Sequence, residues 1–321
     1  MIYRGLICLL VVSPHLLAGE GAAPYDTDQA ITEPKVFGKD VISTGDFESH
    51  PAFTPDSKTV YFLKDSPGFD FWTICFSQFR DGKWSTPEVA PFSGQYSDAD
   101  PFITADGSKF FFISNRPVHS GEKAKEDTDI WMMVKEGTAW NAPTNLGAPL
   151  NSEGSEWYPT VASDGTLYFG SDRKGGNGKT DLYRSRFIRG KYSEPENLGP
   201  IINTDGDEFE PFIAPDQSFL IFMAFRREGH GRSDLYLSYQ RDGNWTVPVN
   251  LGDKINSAGS EYSPKISPNG KYFFWSSTRS TIIPVQKDRL SFDELTRLLR
   301  SPGNSLGDIY YIDLDALKLR K

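Results

Sequence analysis

A four-residue pattern of constant design recurs at intervals of about fifty residues, and it limits the folds open to this chain more than any other feature. An acid, two variable residues and a proline appear as Glu48-Ser49-His50-Pro51, Asp98-Ala99-Asp100-Pro101, Glu156-Trp157-Tyr158-Pro159, Glu208-Phe209-Glu210-Pro211 and Glu261-Tyr262-Ser263-Pro264. The leading acids are spaced by 50, 58, 52 and 53 residues. Each element is followed by a tight-turn composition, such as Ala105-Asp106-Gly107 or Pro268-Asn269-Gly270,. An aromatic run follows the turn: VYFLK, FFFIS, LYFGS, LIFMA or YFFWS. A third run opens with Asp and an apolar pair, at Asp70, Asp129, Asp181, Asp234 and Asp308, and a fourth passes through a proline. Four short strands per repeat is the arithmetic of a propeller blade.

Five such repeats predict an all-β, five-bladed β-propeller with four-stranded blades. The last repeat stops after its third strand, and Pro34-Lys35-Val36-Phe37-Gly38 with Thr44-Gly45-Asp46 mirrors Pro195 to Gly199 with Thr204 to Asp207. The N-terminal segment is therefore expected to supply the missing outer strand and close the ring, which removes unpaired sheet edges. An open solenoid is disfavoured because its repeats are normally shorter.

Residues 1–23 read as a secretory signal: Arg4, an apolar stretch from Leu6 to Leu17, then small residues from Ala18 to Ala23,. Residues 24–321 form the expected single propeller domain. No later run reaches the roughly 18 apolar residues of a membrane span, so a periplasmic or secreted bacterial protein without a membrane span is expected. Cys75 is then the one cysteine of the mature chain, in an apolar run that reads as a buried, inert site,. With 43 acidic against 34 basic side chains the net charge is −9, which argues against a nucleic-acid binder. The aromatic content of 14% and the 29 glycines and 22 prolines favour strands and turns over helices,.

Segments such as SDGTLYFGSDRKGGNGKTDLYRS and SEPENLGPIINTDGDEFEP resemble the WD40-like, TolB-type and OmpA-associated bacterial β-propeller repeat, over roughly residues 31–316. The resemblance implies a propeller, an exported location and a binding or scaffolding role, and it does not imply a single reaction.

In a blade, the start of the first strand, the end of the second and the start of the third share one face. That face should carry Glu48, Asp98, Glu156, Glu208 and Glu261, then Lys64, Arg116, Arg173, Arg226 and Arg279, then the five Asp residues that open the third strands. Residues kept in every repeat read first as glue within each blade. Ten acids against five cations nevertheless make the same acids and arginines candidate ligand contacts. The residues before each proline differ in every repeat: His50, Asp100, Tyr158, Glu210 and Ser263. Two positions beyond the acid, they should lie on its side of the strand and deeper along the channel. A position free to vary is free to serve a ligand, and Asp100, Glu210 and His50 could perform acid–base work. Five-bladed glycoside-processing enzymes also place carboxylates on inner strands, and the carboxylate separation would select inverting or retaining geometry.

Two insertions interrupt the repeat on that face. Pro117–Thr128 carries His119 and a mixed-charge run. Ser280–Gly307 contains the capping box Ser291-Phe292-Asp293-Glu294,, which predicts a helix to Arg300 inside an insertion near 284–304, either a lid, a docking element or simple packing. Metal signals are weak: His50, His119 and His230 lie in three different repeats,. Asn203 to Glu208 resembles a calcium loop in composition only,. No cofactor is expected, with Ca²⁺ the remote exception. Gly175 to Lys179 reads as a strand connector. The expectation is a monomeric exported propeller that binds a glycan or peptide over the acid-bearing face, with a carbohydrate-active hydrolase or lyase and a scaffold for envelope proteins as alternatives.

Overall fold

The computed structural model describes residues 24–25, 27, 29–226, 228–281 and 285–317; the expected leader at 1–23 lies outside them. Five antiparallel sheets form five blades around an axis. The inner strands are Phe47–Phe53, Asp98–Ile103, Glu156–Val161, Glu208–Ile213 and Glu261–Ile266. Each pairs with the aromatic strand that follows it, which in turn pairs with a third strand beginning at Trp72, Asp129, Asp181, Asp234 or Asp308. The outer strands are two-residue pieces: Glu88–Val89, Thr144–Asn145, Glu196–Asn197 and Val249–Asn250. The fifth is Lys35–Val36, which pairs antiparallel with Asp308–Asp313 through Lys35↔Tyr311 and Val36↔Tyr310. The N-terminal strand thus completes the last blade.

The aromatic strands are apolar at their centres because both faces of the sheet are covered by neighbouring blades. Phe110, Phe111 and Phe112 are all fully buried, as are Phe273, Phe274 and Trp275. Each such ring contributes roughly 1.5–3 kcal/mol by leaving water. The turns that precede these strands are built alike, with Asp56, Asp106, Asp164, Asp216 or Asn269 accepting from the backbone N–H two residues on. The residue between them is left-handed in every turn, which suits Gly107, Gly165 and Gly270 and is met by Ser57 and Gln217 elsewhere,.

The predicted helix forms at Phe292–Leu299 with both halves of the Ser291–Glu294 capping box in place. It buries none of its residues, and Phe292, Leu295 and Leu299 are exposed. Among the described residues no helix is long and apolar enough to cross a membrane.

The closing strand is anchored by Phe37, whose ring makes edge contacts with Tyr25, Phe53, Trp84, Phe274 and Tyr311. Phe37→Ala should cost about 3–5 kcal/mol in urea unfolding. Val249→Ala, on the exposed outer strand of the fourth blade, should stay within about 0.5 kcal/mol. Equal losses would show that the closing strand is no more important than any other outer strand.

Candidate functional site

The repeated acids head the inner strands and are sealed inside the blades, with Glu48, Asp98, Glu156, Glu208 and Glu261 at most 1% exposed. Burying a carboxylate is costly unless it is paired and hydrogen-bonded, and a recurrent set of partners meets that demand. A hydroxyl on the incoming loop donates to it: Thr44, Ser93, Ser152, Thr204 and Ser257 in chain order. In four blades an arginine adds an ion pair, Arg116–Asp98 at 2.5 Å, Arg173–Glu156 at 3.0 Å, Arg226–Glu208 at 3.5 Å and Arg279–Glu261 at 3.7 Å. Each guanidinium lies over neighbouring rings, for example Trp275 and Tyr310 beneath Arg279. Each also donates to a carbonyl of the incoming loop, at Phe92, Leu150, Ile202 or Ile255. Burial, the largest influence, still leaves the carboxyls of Asp98, Glu156 and Glu208 raised against the lowering effect of these partners.

Blade one departs from the expected equivalence. Lys64 faces Glu48 in register, the place taken elsewhere by Ser114, Ser171, Ala224 and Ser277. Thr73, rather than Asp70, stands opposite it. The long lysine side chain substitutes for the arginine from two residues nearer, reaching Glu48 at 3.0 Å and Asp46 at 2.8 Å. The loop motifs are likewise absorbed by structure. Asn177 N–H and Gly178 N–H donate to Asp181, so the Gly175–Lys179 loop cradles its own carboxylate. In the first insertion Lys125 pairs with Asp129 at 2.6 Å. Within the Asn203–Glu208 segment Thr204 holds Glu208, and Asp207 accepts from Thr180 N–H. Among the described residues no group of three or more His, Cys, Asp or Glu side chains is arranged to hold a metal. Cys75 is buried, and burial pushes its thiol up to about 11.

The variable residues meet at the axis by a route that simple strand alternation does not describe. Every inner strand breaks register at this point, with a β-bulge between Ser49 and Ala52, Ala99 and Phe102, Trp157 and Thr160, Phe209 and Phe212, and Tyr262 and Lys265. His50, Asp100, Tyr158, Glu210 and Ser263 all have φ between 48° and 56°. A left-handed residue that lacks glycine's freedom costs of order 1–3 kcal/mol, and bulges of this kind re-aim a side chain. Here the five side chains converge across the axis.

His50 is their centre. Its Nε2 lies 3.2 Å from Asp100 Oδ1 and 3.3 Å from Glu210 Oε1, and its Nδ1 lies 2.7 Å from Ser49 Oγ. The remaining carboxylate oxygens take backbone donors freed by the bulges: Tyr158 N–H donates to Asp100 Oδ2 at 2.8 Å and Ser263 N–H to Glu210 Oε2. The Tyr158 hydroxyl crosses to Pro264 O at 2.9 Å and Ser263 Oγ at 3.3 Å. Burial works to lower the pKa of His50, but Glu210 and Asp100 outweigh it and the pKa is raised. Burial, reinforced by Glu210 and opposed by His50, raises Asp100. His50, Asp100, Tyr158 and Ser263 are all buried. The five residues form a plug that ties all five blades together.

One member of this cluster is absent from the sequence expectations. Lys265 follows the blade-five proline, where other blades place Ala52, Phe102, Thr160 and Phe212, and a single charge at an otherwise uncharged position was the available signal. It is buried at 5% exposure, with Nζ 4.2 Å from the Tyr158 ring centre and 4.9 Å from that of Phe102. Burial drives its amine down to about 7, against the opposing pull of Asp100 and Glu210.

Below the plug the axis widens into a funnel of about 1520 Å³, on the face of the turns between first and second strands. Its walls include Ile103, Val161, Phe212, Ile213 and Ile266, its rim Asp106, Asp216 and Arg241, and Lys265 lies among its lining residues. This mouth is opposite the face that carries the repeated acids.

No family model matches the sequence, and no curated protein matches it. Solved structures similar to it include TolB from Acinetobacter baumannii (TM-score 0.46, 17% identity, 84% of this chain and 54% of that one). They also include a putative TolB from Agrobacterium tumefaciens (0.48, 17%, 84% and 91%) and an α-L-arabinofuranosidase from Lactobacillus brevis (0.47, 9%, 86% and 92%). The chain spans about half the length of the first of these. The likeness is one of fold.

If His50 works as a charged bridge, replacing it should show that charge in the pH dependence of stability. A raised native pKa contributes stability that is complete below the ordinary value of 6.5 and fades as pH rises through the native value,. His50→Gln should therefore cost about 3 kcal/mol near pH 6, and the difference from the parent should shrink towards pH 9. A difference that stays constant in urea titrations across that range would make the ring a packing element only.

Proposed function

We propose that this protein is an exported ligand-binding β-propeller whose ligand, a peptide or a glycan, occupies the funnel on the turn face. The observation that carries this reading is the contrast between the two parts of the axis. The channel is filled by His50, Asp100, Tyr158, Glu210 and Ser263, which engage one another, whereas the funnel beneath is open, large enough for a several-residue ligand, and lined by branched and aromatic side chains with a charged rim,. The basic-then-apolar composition of residues 1–23 supports placement outside the cytoplasm,.

The plug geometry favours binding over inverting hydrolysis. Inverting hydrolysis requires a water between two carboxylates about 6.5–9.5 Å apart. Here the imidazole edge of His50 occupies the space between Asp100 and Glu210. The repeated acids and arginines are spent within the blades, which favours the turn face over the acid-bearing face as the ligand's seat.

Val161→Trp should fill part of the funnel without touching the plug. In a calorimetric screen of envelope-derived peptides and oligosaccharides, this variant should lose binding by at least tenfold at unchanged melting temperature. Phe225→Ser, at a half-exposed ring beside Phe209 on the acid-bearing side of its blade, should leave binding intact. The reverse pattern would move the site to the acid-bearing face.

A further inference from the structure

Lys265 presents an imbalance that the plug does not resolve. Its Nζ is buried and meets no hydrogen-bond acceptor, although a buried ammonium is tolerated only when paired and hydrogen-bonded. Two aromatic faces cover it in part, Tyr158 and Phe102, and a ring face offers an ammonium much less than a carboxylate does. The nearby carboxylates are already engaged. Asp100 divides its oxygens between His50 and Tyr158 N–H, and Glu210 divides its oxygens between His50 and Ser263 N–H. The charged groups acting on the amine are these two acids, with His50 between them. Two acids balance one imidazolium and one ammonium in charge, but neither brings an oxygen to Lys265 Nζ, whose N–H donors are left without an acceptor,.

We infer that the funnel floor is a carboxylate subsite, where Lys265 takes the free C-terminal carboxylate of a peptide whose last side chain is apolar. This rests on the reading of the funnel as the ligand site. The carboxylate follows from the unpartnered amine beside the cavity. The peptide follows from the walls, because Ile103, Val161, Ile213 and Ile266 suit an aliphatic or aromatic side chain and give no partners to the hydroxyls of a sugar acid. Binding would draw a proton onto the amine whenever the free protein holds it neutral.

The test compares pentapeptides ending in Leu or Phe, as free acids and as C-terminal amides, by titration calorimetry at pH 7, with oligogalacturonate as the sugar-acid arm. The acids should bind at least tenfold more tightly than the amides. Lys265→Met should abolish that ratio by bringing the acids down to the affinity of the amides. Should this variant fail to fold, the parent protein decides alone: in buffers of different ionisation heat the acids should take up a proton on binding between pH 7 and 9 and the amides should not. Equal affinity for acid and amide, or no proton uptake, overturns the subsite and leaves the funnel reading standing. A Lys265-dependent preference shown by oligogalacturonate and not by the peptides overturns the peptide assignment. If neither peptide nor oligogalacturonate binds, and the wider screen is also silent, the funnel reading falls together with the subsite.

Discussion

The ring is held together by five buried carboxylates that cannot be left alone. Each heads an inner strand at the point where the chain crosses from one blade to the next. To keep it there the protein brings in a hydroxyl from the incoming loop and, in four blades, an arginine laid over aromatic rings. Because the same arginine also donates to a carbonyl of that loop, one ionic node fixes the crossing chain, the inner strand and the aromatic pair together. Removing either partner would leave the other charged and buried, the more damaging half of any buried pair. That requirement explains why the repeat is conspicuous in the sequence while its separation varies by eight residues.

The axis follows a different logic. Five left-handed bulges, none at glycine, store backbone strain,, and the return on that strain is convergence. The bulge frees an N–H in blades three and five, and an acid from blade two or four takes it. A single imidazole then joins both acids to blade one. The repeat symmetry is broken here so that unlike groups can satisfy one another, an arrangement that five copies of one residue could not achieve.

The blade number, the closing strand and the capped helix were legible because they depend on local composition: turn residues, aromatic runs and a Ser-x-x-Glu box. The variable positions could be found as departures from the repeat, and His50, Asp100, Tyr158, Glu210 and Ser263 do meet. The left-handed bulge that brings them together was not legible, since neither Tyr158 nor Glu210 advertises a positive φ. Lys64 was misplaced by two positions because a long side chain can imitate an arginine from the wrong rung. Lys265 was not legible as a member because it follows the proline, a position where the other four blades carry no charge. The open mouth was expected over the acids, and their burial shows why charge counted along a sequence does not predict charge presented to solvent.

The strand that completes the last blade has a kinetic consequence. Lys35 and Tyr311 pair across nearly the full chain, and contacts between such distant residues form late because loop closure must come first. Four blades can assemble their hairpins locally as the polypeptide emerges. The fifth must wait for Asp308–Asp313, and until that strand is made Lys35–Val36 has no partner. For a chain made from its N-terminus onwards, the first strand synthesised is among the last to find its place, and the interval between those events is when this protein is most exposed to pairing with another molecule.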